Sequence, residues 1–275
     1  MVSFGFKEEQ RKFESRNPEF IHRFHNFVEL VPLAFPDLYL AEPADRTIYM
    51  LARTCAEDLQ EILLLCGNGY GIGAEKLLRG MYERAVTVVY LHEHPEEAQN
   101  FLDYHKVADH KMLVAVENSM GTDVFSAKQK DKIEREFQEV RERFLVTDCG
   151  TCDTRRLNHT WSKLDFVGMA RTTGELWKLI VPAYYFGIRE GHSTMGSIFS
   201  RLDATAAIDG QGLIFGGESQ PDRADRALFA ALHIFLIVLG VQRDRFSLDA
   251  MNKLLDQCAE DLLEILKSRR GETNE

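Results

Sequence analysis

The chain has 275 residues, 45% of them hydrophobic and 28% charged, with a formal net charge of −10. That length and apolar content can bury a sizeable core, and they exclude a disordered or fibrous chain. The acid excess argues against non-specific binding to nucleic acid or anionic membrane, although a local basic cleft is compatible with it.

From the N-terminus, MVSFGFKEEQRKF is charged from its seventh residue and lacks the apolar centre of a signal peptide. The expected setting is therefore the cytoplasm, with the five cysteines as reduced thiols. Glu19, His22 and His25 form one Glu-x-x-His pair with a following histidine. A di-iron bundle needs a second such pair, and the chain has none.

Ile48, Leu51, Cys55, Leu59, Ile62, Leu63 and Cys66 recur at the three-four spacing of one helix face. The glycine-rich run Gly67 to Gly73 follows this helix rather than a strand, so it predicts a turn between antiparallel helices and not a dinucleotide fingerprint. Leu77, Leu78, Met81, Ala85, Val88 and Val89 mark the next helix. Pro95 opens another, whose stripe runs through Ala98, Phe101, Leu102, His105, Ala108, Met112 and Leu113. His105, Asp109 and His110 lie close together there, as metal ligands or as a solvated edge. Ser126 is a candidate N-cap for the mixed-charge helix Lys128 to Arg143.

Two longer loops are expected, Thr147 to Trp161 and Asp203 to Gln220, with Gly212 to Phe215 as the best strand candidate. Pro221 and Asp222 begin a helix containing the longest apolar run, Ala227 to Val241. That is 15 residues, where a membrane span needs roughly 20, so a buried helix is expected. Leu248, Met251, Leu255, Cys258, Leu262 and Ile265 complete the set. The fold class is all-α: a bundle of about seven to nine helices with little or no sheet, forming one domain over 1–275.

Several residues invite chemistry. Arg79 and Glu83 share a helix face among apolar neighbours. Arginine before glutamate is the weaker order for an exposed pair, so a partly buried cluster is expected, with Tyr104, Lys111 and His192 as candidate neighbours. The alternative is a buried ion pair that fixes helix register. In GIREGHS, Arg189 and His192 lie three apart. A histidine there could serve as general acid or base, or simply bond a neighbouring helix. Cys149-Gly-Thr-Cys152, with His159 following, has the turn of zinc knuckles and of redox dithiols. A structural zinc site takes four ligands, so unligated thiols are the competing expectation. Cys55, Cys66 and Cys258 fall on apolar stripes and are expected in the core.

Three segments carry a resemblance: AEKLLRGMYERAVTVVYL with Arg79 and Glu83, FLDYHKVADHKML with Tyr104 and Lys111, and WSKLDFVGMA followed by YYFGIREGHSTM. Together, over roughly Leu51 to His192, they resemble the bacterial domain-of-unknown-function family 5677. The resemblance departs around Ile188 and Arg189, where the family has a serine, and in the cysteine loop. It implies an all-helical fold distantly similar to HEPN domains and brings no established activity.

Two functional classes follow. One is an interaction or ligand-binding domain built round a buried polar cluster. The other is a metal-independent HEPN-like ribonuclease of stress response or phage defence, with His192 as base and Arg79 or Arg189 stabilising phosphate charge. HEPN ribonucleases space that arginine and histidine four to six apart, which this chain does not. A zinc- or di-metal-binding protein is a further alternative. Otherwise no cofactor and no membrane association are expected, and a homodimer is.

Overall fold

The computed structural model describes residues 8–120, 124–147, 155–201 and 219–269. It is an all-α bundle, with twelve α-helices and one two-stranded sheet among the described residues. Each long helix predicted from periodicity is present. Two helices that periodicity did not mark, α1 (Glu9–Arg16) and α2 (Pro18–Ala34), come first, followed by α3 (Pro43–Gly67), α4 (Gly71–Glu93) and α5 (Ala98–Met120). Then comes α6 (Ala127–Val140), where Ser126 caps the helix reciprocally with Gln129.

The helix count exceeds the expectation because residues 166–199 break into short pieces: α7 (Phe166–Thr172), α8 (Glu175–Lys178), α9 (Phe186–Gly191) and α10 (Met195–Phe199). Gly174, at φ 58°, separates α7 from α8, and Pro182 sits in a π-helical turn, Val181–Tyr185, that feeds α9. Two long helices follow, α11 (Pro221–Phe246) and α12 (Asn252–Arg269).

The loop expected over Thr147 to Trp161 is partly structured. β1 (Leu145–Thr147) pairs antiparallel with β2 (Arg155–Leu157), with Leu145 opposite Leu157. Gly212 to Phe215, most of the second loop, and the cysteines at 149 and 152 lie outside the described residues.

The main core is built by α3, α4 and α11, to which α2 and α12 add Phe20, Phe27, Leu30, Cys258 and Leu262. Helix α11 is buried on nearly every side, from Ala224 through Gln242, which explains why its sequence is apolar all round rather than striped. By length and composition it could cross a membrane, but 72% of its most apolar window is buried inside the bundle. A second, smaller core of Val107, Phe137, Val140 and Phe144 joins α5 to α6 and the hairpin, with Tyr104 and Leu157 against it.

Two glycines set the spacing at one end. A Cβ on Gly71 would lie 2.6 Å from the backbone of Gln220 and Ala224, so the first turns of α4 and α11 touch backbone to backbone. A Cβ on Gly187 would lie 2.7 Å from the Glu75 carbonyl and 2.6 Å from Arg79 Cβ, so α9 rests directly on α4. Three helices therefore meet around Glu75.

Candidate functional site

At that meeting point lie two carboxylates with almost no access to solvent, Glu75 of α4 (side chain 1% exposed) and Glu190 of α9 (0%). A buried carboxylate stays ionised only if cations and hydrogen bonds replace its water. Here the replacement comes from four arginines. Arg223 of α11 bridges the pair, with Nη2 at 2.6 Å from Glu190 Oε1 and 3.3 Å from Glu75 Oε2. Arg226, one turn on, donates to Glu75 Oε1 at 2.6 Å. Arg189 reaches Glu190 Oε1 at 3.2 Å and Arg201 reaches Oε2 at 3.0 Å, where the Ser200 hydroxyl also donates at 3.1 Å. Burial alone would push the Glu190 carboxyl up. The bonds and charge of Arg223, with Ser200 and Arg201, outweigh it and hold the group below the ordinary glutamate value.

Among the described residues, four guanidiniums against two carboxylates leave a formal excess of two positive charges in a chain of net −10. The excess faces outward unevenly. Arg223 is largely buried and its Nη1 makes no hydrogen bond, whereas the side chains of Arg189 and Arg226 are about two-fifths exposed. Both of these have their Cζ over the Phe186 ring, 5.2 and 4.9 Å from its centroid, a cation–π contact that limits their freedom while both side chains stay partly exposed.

The residues singled out in the sequence divide into separate groups. Arg79 and Glu83 do pair, Nε to Oε1 at 2.9 Å, and both are partly exposed. Arg79 also lies 5.4 Å over the Tyr184 ring. Glu75, Arg79 and Glu83 lie at successive turns on one face of α4. Tyr104 and Lys111 sit elsewhere, against the smaller core. The Lys111 amine donates to the Tyr104 hydroxyl at 3.0 Å and to the Asn158 carbonyl at 3.1 Å, and Tyr104 donates to the same carbonyl at 2.9 Å. They clamp the chain leaving the hairpin to α5. Arg189 belongs to the main cluster. His192 is exposed beyond the end of α9, and among the described residues no hydrogen bond, ion pair or ring contact joins its side chain to Arg79, Glu83 or Lys111.

Of the histidines considered as metal ligands, His25 and His110 have ring contacts within the fold. His25 Nδ1 contacts the His22 carbonyl at 3.0 Å, and Glu19 pairs with Arg23. His110 stacks on Phe137 with centroids 3.8 Å apart and contacts Glu134 at 3.1 Å. His159 is exposed, and its backbone amide donates to its neighbour Asn158. Among the described residues no group of three or more His, Cys, Asp or Glu is placed to hold a metal ion. Cys55, Cys66 and Cys258 are core residues, and burial pushes each thiol up so that it stays protonated.

Sequence reasoning missed Glu75, Arg201, Arg223 and Arg226. A signal for Glu75 existed: it shares the face of Ala74, Leu78 and Tyr82, all buried, and a charged residue on such a stripe must meet a cation. The arginines that meet it carried no local signal, since Arg226 lies 151 positions away.

No curated protein and no solved structure matches the chain. A family model does match, over residues 45–209, a span that includes Glu75, Arg79, Glu83, Arg189, Glu190 and Arg201 and stops before α11. That span is more than half of the chain, and with the all-helical fold it supports one assignment: the chain belongs to the family of unknown function DUF5677.

Proposed function

We propose that this protein is a ligand-binding helical domain whose ligand is an anion of phosphate or carboxylate type, held by Arg189 and Arg226 at the mouth of the Glu75–Glu190 cluster. The observation that carries this reading is the imbalance of charge. A clamp needs only enough cations to neutralise its buried carboxylates, and among the described residues this one has two more. The surplus is preorganised: the carboxylates fix the inner N–H groups, Phe186 limits the freedom of both guanidiniums, and an incoming anion meets donors with less side-chain entropy left to lose.

The test is a titration with inorganic phosphate at constant ionic strength, followed by calorimetry and by the rise in thermal midpoint that a native-state ligand causes. Saturable binding is expected, weakened about tenfold or more in an Arg189→Ala/Arg226→Ala double variant, the scale of one lost charge-assisted contact. Equal affinity in variant and wild type would overturn the reading. This reading gives His192 no role. Cleavage of mixed RNA that disappears in His192→Ala would replace it with the ribonuclease alternative.

A further inference from the structure

Helix α10 is built inside out. Its buried member is Ser197, while Met195, Ile198 and Phe199 are 59%, 45% and 59% exposed. Those three positions share one helix face, so they form a continuous apolar ridge in water. The polar side is what the fold uses. Thr194 and Ser197 cap the helix reciprocally at 3.3 Å, Ser200 and Arg201 tie its far end to Glu190, and Gly196 lies against the stem of Arg189. Among the described residues the apolar side of α10 is left exposed, although burial would favour covering it. An apolar ridge rimmed by charged groups is the signature of a docking surface.

We propose that the α10 ridge and the neighbouring Arg189 form one docking surface for a protein segment carrying carboxylates beside apolar side chains. The inference rests on the anion-binding reading above and supplies its partner. Charge complementarity selects the occupant: the stem of the partly exposed Arg189 lies against Gly196 of α10, so carboxylates and apolar side chains of one segment can engage the guanidinium and the ridge at once. A polyanionic nucleic acid or an anionic membrane would meet a chain of net −10 over most of its surface, which favours a short acidic segment over either.

The experiment measures fluorescence anisotropy of a labelled peptide composed of Glu, Asp, Leu and Phe. One control peptide has its acids replaced by Gln and Asn, and a second has its apolar residues replaced by Ser. The full-length protein is compared with an Ile198→Ser/Phe199→Ser variant and with the Arg189→Ala/Arg226→Ala variant. Phosphate titration of each sample checks that the cluster is intact. The acidic–apolar peptide is expected to bind wild type and to lose about tenfold or more with either variant or either control peptide. Phosphate affinity is expected to fall only in the arginine variant. Phosphate binding without ridge-dependent peptide binding would overturn the docking proposal and leave the anion site standing. Failure of phosphate to bind wild type would overturn the anion site itself. The docking proposal also falls if the ridge variant loses self-association, or binding to phosphatidylserine vesicles or to single-stranded RNA, while the peptide fails to bind wild type.

Discussion

Two of the buried carboxylate centres in this bundle, Asp261 and the Glu75–Glu190 pair, solve the same electrostatic problem differently. Asp261 of α12 accepts from Arg23 at 2.7 Å, Asn26 at 2.9 Å and Gln257 at 3.1 Å, and Arg23 is itself shared with Glu19 and Glu264. Acids outnumber the cation there, the donors are used up, and the result is a clamp between α2 and α12. Around Glu75 and Glu190 the ratio among the described residues is reversed, with four arginines for two acids and two of the guanidiniums open to water. A buried charge by itself therefore says little about function. On the proposed reading, the surplus of partners, together with where it points, is what would separate a site from a clamp.

The contrast can be broken by substitution. Glu190→Gln keeps the shape but removes the charge that Arg189, Arg201 and Arg223 share, and the expected loss is about 3–5 kcal/mol in denaturant unfolding. A loss below about 1 kcal/mol would mean that Glu190 does not organise the cluster. Gly187→Ala drives a methyl into Arg79 and the Glu75 carbonyl. The expected cost is about 1–3 kcal/mol, together with weakened phosphate binding, because α9 must move away from α4. Asp261→Asn is expected to cost about 2 kcal/mol, the scale of hydrogen bonds to a charged group, and to leave phosphate affinity unchanged. Any effect of Asp261→Asn on anion binding would erase the distinction between clamp and site.

Acid sharpens the same comparison. Glu190 and Asp261 both have carboxyls held low in the fold: burial pushes each up, and the bonds from its partners outweigh burial. A group depressed in the folded state stabilises it above the unfolded value, about 4 for a carboxylate, and loses that contribution as pH falls through the folded value. Stability should therefore fall below about pH 4, with a shallower slope in both Glu190→Gln and Asp261→Asn. The smallest effect is expected at Arg79→Ala. Its pair with Glu83 is half-exposed, so the loss in thermal or denaturant unfolding should stay within about 0.5 kcal/mol.

Most of the fold was legible because α3, α4, α5 and α12 announce themselves by apolar spacing, and α6 and α11 by Ser126 and Pro221. The short helices from Phe166 to Phe199 were not, since each is too brief to show a period, and the hairpin strands are three residues long. Of the residues in the proposed site, the sequence singled out Arg189, and it placed Arg79 and Glu83 on one face of α4, where the two pair. The grouping with Tyr104, Lys111 and His192 did not emerge, because helix spacing fixes which residues share a face and leaves open which faces of different helices meet. Gly71 and Gly187 decide that here, by allowing α11 and α9 to close on Glu75.

The most direct measurement of the central claim compares phosphate affinity, at fixed ionic strength, for wild type, Arg189→Ala/Arg226→Ala and Arg23→Ala, the last removing the clamp's cation. Saturable binding that is lost in the first variant and kept in the second is the predicted result. Binding that is absent from wild type, or equal in all three, would contradict the claim that the surplus arginines form a site.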